Sequence, residues 1–270
     1  MSHDEQARST RRISRESGRF VRSTPGSRSL ERGLQLLRAF RIGTAALTNA
    51  ELAERTGLAR PTVSRLTRSL VEYGFLQYDI ALQAYRLNAV TLSLGLAYRQ
   101  QSPVLEAAAV LLAKAAREEQ LNVGLAVADL HEMVFVDFAR GTSRGIRRAV
   151  EPGMRLPVES TSTGRAWLAS LPADECENAL ASLAPRHGAA WPAVRKLIDS
   201  ARAEVATQGF CTGRWVPGMV GLSAPVVCRQ LPGCVVSFAI PLTDDSPSEL
   251  IERHGVALLR LAAALGNAGE

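Results

Sequence analysis

TNAELAERTGLARPTVSRLTRSLVEYGFLQYDIALQAYR, residues 48–86, is the stretch whose reading decides the fold. Thr48 and Glu51 form a capping-box pair, each side chain placed to satisfy the other's backbone amide, and so open a short helix. Gly57 breaks that helix. Pro61, with its fixed φ and missing N–H, suits the first position of a second helix. There Val63, Leu66 and Leu70 recur as a narrow apolar stripe, and the opposite face presents Thr62, Arg65, Arg68 and Ser69. Gly74 stops the second helix, and residues 75–78 and 84–87 read as the two strands of a hairpin. These five elements in this order describe a winged helix-turn-helix, whose second helix enters the major groove of double-stranded DNA. Arg60, Thr62, Ser64, Arg65 and Arg68 are the expected contacts of the recognition helix, and Arg86 that of the wing.

Charge agrees with this reading. Residues 1–98 hold 15 Arg and Lys against 8 Asp and Glu, whereas the remainder holds 17 against 18. The whole excess of +6 therefore lies in the segment that would meet phosphate, where cations release condensed counterions. Residues 1–26 form an Arg- and Ser-rich arm with almost no apolar content, expected to be disordered when free and able to follow phosphates or a minor groove. A dispensable leader is the other reading of this arm. Thirty of the 32 basic residues are arginine, a bias that by itself says nothing of function.

With 270 residues, 46% of them hydrophobic, the chain can build two packed domains. No run of 18 apolar residues is present, so no membrane span or membrane partner is expected. The first 28 residues carry no apolar core of a secretory signal, and a cytoplasmic protein follows. Cys176, Cys211, Cys228 and Cys234 form no C-x-x-C pair, and the four histidines are scattered, so neither a metal site nor another cofactor is expected. The cysteines read as reduced core residues, with a thiol-redox regulator as the open alternative. No G-x-S-x-G, H-E-x-x-H or P-loop occurs; no catalytic residues are assigned, and a sensor-like enzyme is the least favoured class.

Beyond the hairpin, a helical linker carries Leu92, Leu94, Leu96 and Tyr98, and Pro103 punctuates it. Upstream, residues 29–40 read as the first helix of the DNA-binding domain, with Leu30, Leu34, Leu37 and Ala39 or Phe40 turned inward. Downstream, residues 104–119 form an alanine-rich helix, and strands are expected at 122–129, 133–138, 146–150, 221–228 and 233–241. Helices are expected at 162–170, 172–183, 191–207 and 247–265. The fold class is thus α+β: a winged helix at 27–88, a linker helix at 89–102, and an antiparallel-sheet domain at 103–270 suited to ligand sensing.

Four stretches together carry a family resemblance: A-R-P-T-V-S-R-L in the second helix, Y-R-L-N-A-V-T-L-S-L-G after the wing, E-P-G-M-R-L-P-V-E-S-T-S-T-G-R-A-W-L at 151–168, and Q-G-F followed by P-G and L-S-A-P-V at 208–226. In these the chain resembles the IclR-type bacterial transcription regulators over nearly its whole length. The resemblance implies a dimerising linker helix, a C-terminal GAF-like domain binding a small organic acid, and dimers or dimers of dimers on palindromic operators. It places the acid's carboxylate near Ser162, Thr163 and Gly164, where unpaired helix amides and the helix dipole favour an anion; a run of Ser and Thr before a helix also serves as an ordinary cap.

The sequence departs from the family pattern at several positions. An acidic run common in members is replaced by C-T-G-R-W-V at 211–216, Gly221 stands where cysteine is frequent, and Val158-Glu159 replaces a usual histidine. Gly213 and Gly221 suggest extra room and Trp215 an aromatic wall, which favours an aromatic carboxylate over a two-carbon acid. Arg214 or Arg148 would pair the carboxylate, although a surface ion pair is the alternative for either arginine.

Overall fold

The computed structural model describes residues 26–141, 150–214, 217–242 and 247–269. The chain divides into two compact units, the first ending at Leu92 and the second beginning at Ser93.

In the first unit, α1 (Arg28–Arg38), α2 (Asn49–Thr56) and α3 (Arg60–Glu72) precede a hairpin of β1 (Leu76–Asp79) and β2 (Ala84–Leu87). The Thr48–Glu51 capping box forms in both directions, and Gly57 closes α2 in the left-handed region at φ 68°. Helix α3 starts one residue earlier than the proline suggests: Arg60 is first and Pro61 second, with Ala59 as an N-cap that gives no side-chain bond. The core comprises Leu36, Phe40, Leu47, Leu52, Val63 and Leu76, with Leu66 and Leu70 packed partly against it.

One expectation changes here. Leu30 and Leu34 are exposed, because α1 turns Leu36 and Leu37 to the core, joined there by Phe40 beyond its end. Thr67 is fully buried on α3, its hydroxyl donating to the Val63 carbonyl at 2.9 Å, so a residue that looked polar completes the inward stripe. The hairpin is anchored by a two-way backbone bridge between Leu47 and Tyr85 (2.9 and 2.8 Å).

Helix α4 (Val90–Gln100) buries none of its residues. In the second unit α5 (Pro103–Glu119) leads into β3 (Asn122–Asp129) and β4 (Glu132–Ala139), then β5 (Arg155–Pro157), α6 (Ser162–Ser170), α7 (Ala173–His187) and α8 (Trp191–Gln208). Strands β6 (Cys211–Gly213), β7 (Met219–Val226) and β8 (Cys234–Pro241) and helix α9 (Pro247–Asn267) complete it. The six strands run antiparallel in the order β5-β4-β3-β8-β7-β6. The two three-residue edge strands, β5 and β6, are the elements that sequence patterning misses; residues 146–149 of an expected strand lie outside the described residues.

Both faces of the sheet are covered. Val123, Leu125, Leu222, Ala224, Val236 and Phe238 pack with α5 and α9, while Ala126, Met133, Phe135 and Val235 pack with α6, α7 and α8. Strands buried on both sides read as continuous apolar runs, as NVGLAVA and CVVSFAI do here. On β7 the alternation puts Leu222 and Ala224 toward α9 and leaves Gly221 and Ser223 facing α6. That alternation places the candidate ligand site.

Candidate functional site

On α3 the buried side is set by Val63 and Thr67, four residues apart. The exposed side carries Arg60, Arg65 and Arg68, while Thr62 and Ser64 are half-buried at its flank. The arginines project from the face opposite the core, where a major-groove helix needs its donors. Arg86 is differently placed: it pairs with Asp79 at 3.1 Å, which leaves the wing hairpin without net charge. The wing therefore adds less to phosphate attraction than its arginine suggested, and residues 1–25 of the arm lie outside the described residues.

In the second unit, the start of α6 is a buried polar cluster. Thr161 is the N-cap; its hydroxyl accepts from the Gly164 amide at 3.1 Å and donates to the Pro157 carbonyl at 3.1 Å. The Ser223 hydroxyl donates to that of Ser162 at 2.8 Å, and Thr163 Oγ1 lies 3.4 Å from Ser223 Oγ. Cys211 Sγ donates to the Ser162 carbonyl at 3.3 Å. The structure thus brings Ser162, Thr163, Gly164, Gly213 and Gly221 together. Arg214 is exposed just beyond β6, and Arg148 and Trp215 lie outside the described residues.

The glycines have a packing role that the sequence reading did not foresee. A Cβ on Gly164 would run into the backbone of Val158. One on Gly221 would come within 2.5 Å of Ser162 Oγ, and one on Gly213 within 2.8 Å of Arg165 Nη2. These positions let β6 and β7 close onto α6, so Gly213 and Gly221 do not enlarge a cavity at the helix start. The space beside them is filled by Ser162 and Arg165.

Arg165 is the residue that sequence reasoning passed over. It is 7% exposed, its Nε donates to the Thr161 carbonyl at 3.2 Å, and no carboxylate among the described residues pairs with it. Its side chain runs back toward the helix start, as long helical side chains do. A buried guanidinium without a counter-charge is costly. The signal was present as the arginine of G-R-A, four residues after Thr161, which puts both on one helix face. Glu159, also buried, meets His187 Nε2 at 3.0 Å, and its second carboxylate oxygen has no partner among the described residues.

The cysteines offer little to redox chemistry. All four are free thiols and buried. Burial pushes the Cys211 thiol up to about 12, with Glu204 adding to the rise and Arg165 opposing it. Burial likewise raises Cys176 and Cys234. A thiol so raised holds little thiolate, the reactive form.

A winged helix with a cationic outer face, followed on the same chain by a two-sided α+β domain with a buried polar cluster, defines a DNA-binding regulator built from two units. Comparison with known proteins places it further. Residues 29–79 match the IclR helix-turn-helix domain, and residues 96–206 match the bacterial transcriptional regulator IclR C-terminal domain. The chain is similar to the HTH-type transcriptional regulator TsaQ1/TsaQ2 of Comamonas testosteroni, 29% identical over 81% of this chain and 75% of that one. Several other curated regulators match over little more than half of their length. Among solved structures, an IclR family transcriptional regulator from Brucella abortus is 31% identical, with a TM-score of 0.80 covering 91% of this chain and 95% of that one. An IclR homolog from Microbacterium hydrocarbonoxydans, complexed with 4-hydroxybenzoate, shares the fold at 20% identity, with a TM-score of 0.66 over 89% and 98% of the two chains. The chain belongs to the IclR family of bacterial transcriptional regulators. Among its described residues no helix is long and apolar enough to cross a membrane.

Proposed function

We propose that this regulator binds a palindromic operator as a dimer or dimer of dimers, and that an organic carboxylate bound at the start of α6 controls that binding. The observation that carries the ligand half is Arg165: a buried guanidinium with no acidic partner among the described residues, beside the first turn of a helix. The Ser162 and Thr163 amides at the positive end of the helix supply a second, fixed attraction for an anion. Hydroxyls of Ser162, Thr163 and Ser223 add neutral hydrogen-bonding groups to the same few ångströms. Arg214 and, outside the described residues, Arg148 and Trp215 remain candidate contacts. An aromatic acid is the ligand class this reading favours. The 4-hydroxybenzoate complex shows that a fold of this kind accommodates such an acid in another protein.

The DNA half assigns Arg60, Thr62, Ser64, Arg65 and Arg68 to the major groove, with Arg86 held at the wing by Asp79. Two such helices reach two half-sites only if the chains pair, and α4 offers an uncovered apolar surface for that: Leu92 is 65% exposed, and Leu94, Leu96 and Tyr98 are exposed beside it. The thiol-switch alternative is disfavoured by the burial of all four cysteines.

The test is a thermal-shift panel of aromatic and aliphatic carboxylates, followed by calorimetric titration of the best ligand into the wild-type chain and Arg165→Met. Affinity should fall by roughly tenfold or more in the variant, since a hydrogen bond to a charged group is worth about 1.5–3 kcal/mol. Unchanged carboxylate affinity in a folded Arg165→Met protein would place the site elsewhere.

A further inference from the structure

The wing hairpin carries an apolar tip. Between β1 and β2, Ile80 is 83% exposed and Leu82 is 51% exposed. The turn that presents them is well defined: Asp79 Oδ1 accepts from the Leu82 amide at 3.0 Å, and Gln83 sits in the left-handed region at φ 48°. Behind the tip, the Tyr78 and Tyr85 rings pack at 5.1 Å, and the Leu47–Tyr85 bridge holds the hairpin to the domain. The hairpin follows α3 directly, with the Phe75 amide donating to the Leu70 carbonyl at 2.8 Å. These bonds fix the position of the hairpin relative to the recognition helix.

Single exposed apolar residues are ordinary on protein surfaces. What separates this pair is that both stand on one braced turn, and the turn's only flanking charges, Asp79 and Arg86, neutralise each other at 3.1 Å. Such a tip has little to offer phosphate. It has the chemistry of the Ile and Leu wedges that enter a minor groove, push between adjacent base pairs and bend the duplex. We propose that Ile80 and Leu82 enter the minor groove beside the segment read by α3 and wedge against a base step there. Some of the operator selectivity is then read as deformability, with pyrimidine–purine steps in the flank favoured because they unstack most easily.

The test uses the full chain and an operator duplex selected by it from a random-sequence pool, labelled at both ends for energy transfer. The paired change Ile80→Ala and Leu82→Ala should weaken binding to that duplex about tenfold, within the range of one mismatched base pair. It should also reduce the bend while leaving the salt slope and the affinity for random DNA unchanged, because no phosphate contact is lost. Replacing the flanking pyrimidine–purine step by a stiff A-tract should weaken the wild-type chain and leave the double variant indifferent. This duplex change tests the proposal in the unaltered protein. Wild-type affinity, bend and flank preference in the double variant would overturn the proposal. So would tighter binding with a steeper salt slope in Ile80→Lys, which would put the tip against the phosphates. Loss of self-association with the DNA bend intact would instead make the tip a protein contact, and would equally overturn the proposal.

Discussion

Arg65 and Arg68 stand three positions apart on an exposed helix face, and each carries a fork of donors that fits a guanine edge. Arg65→Ala should weaken operator binding by roughly 1–3 kcal/mol and relax sequence preference at one position. A binding-site selection run with the variant checks this, and an unchanged preference would contradict the docking of α3. In the second unit the informative residues are glycines. Gly221→Ala places a Cβ 2.5 Å from Ser162 Oγ, so the variant should lose thermal stability whether or not ligand is present. Gly213 and Gly221 both stood out in the sequence as departures from the family pattern, but only coordinates distinguish room for a ligand from room for a neighbouring helix. Arg165 was the opposite case: unremarked in the sequence, it acquires meaning from burial and from the lack of a paired carboxylate among the described residues.

The helices and long strands were largely legible, because their signals are local. The capping box of Thr48 and Glu51, the αL glycines at 57 and 74 and the Ala-Tyr-Arg-Leu strand all act within a few residues of themselves. Strands β5 and β6 were not legible: three residues carry too little pattern, and each exists only by pairing with a distant neighbour, β4 or β7. The inward face of α1 failed for a related reason, since its leucines occur on more than one face and α2 and α3 decide which is covered. At this scale Thr48→Ala should destabilise the first unit by about 1 kcal/mol. Bonds from the Thr48 backbone and hydroxyl hold the Glu51 carboxyl below its ordinary 4.5. A depressed carboxyl stabilises the fold above its unfolded value, and that contribution is lost as pH falls through the folded one. Chemical denaturation from pH 7 down to below 4 should show this loss in the wild-type chain and not in Glu51→Gln. For α4, charged residues at Leu92 and Leu96 should yield monomers with weak operator binding in sedimentation and binding experiments. A wild-type chain that stays monomeric at all concentrations would contradict pairing through this helix.

Across the whole molecule, the charge excess lies on residues 1–98, which hold the helix-turn-helix domain, and the remainder is near neutral. Six arginines lie between residues 8 and 22. Deleting residues 2–24 should flatten the dependence of operator affinity on salt while leaving the preferred sequence unchanged. An identical slope would make that arm a bystander. The central claim is that a carboxylate held near Arg165 changes the affinity of the chain for its operator. The most direct test titrates selected operator duplex with the wild-type chain and Arg165→Met, each with and without a saturating carboxylate taken from the thermal-shift panel. The wild-type affinity should shift about fivefold or more, the lower end of typical coupling between two sites, while Arg165→Met binds DNA like the ligand-free wild type and does not respond. An equal shift in both proteins, or bound carboxylate with no shift in the wild type, would contradict the account.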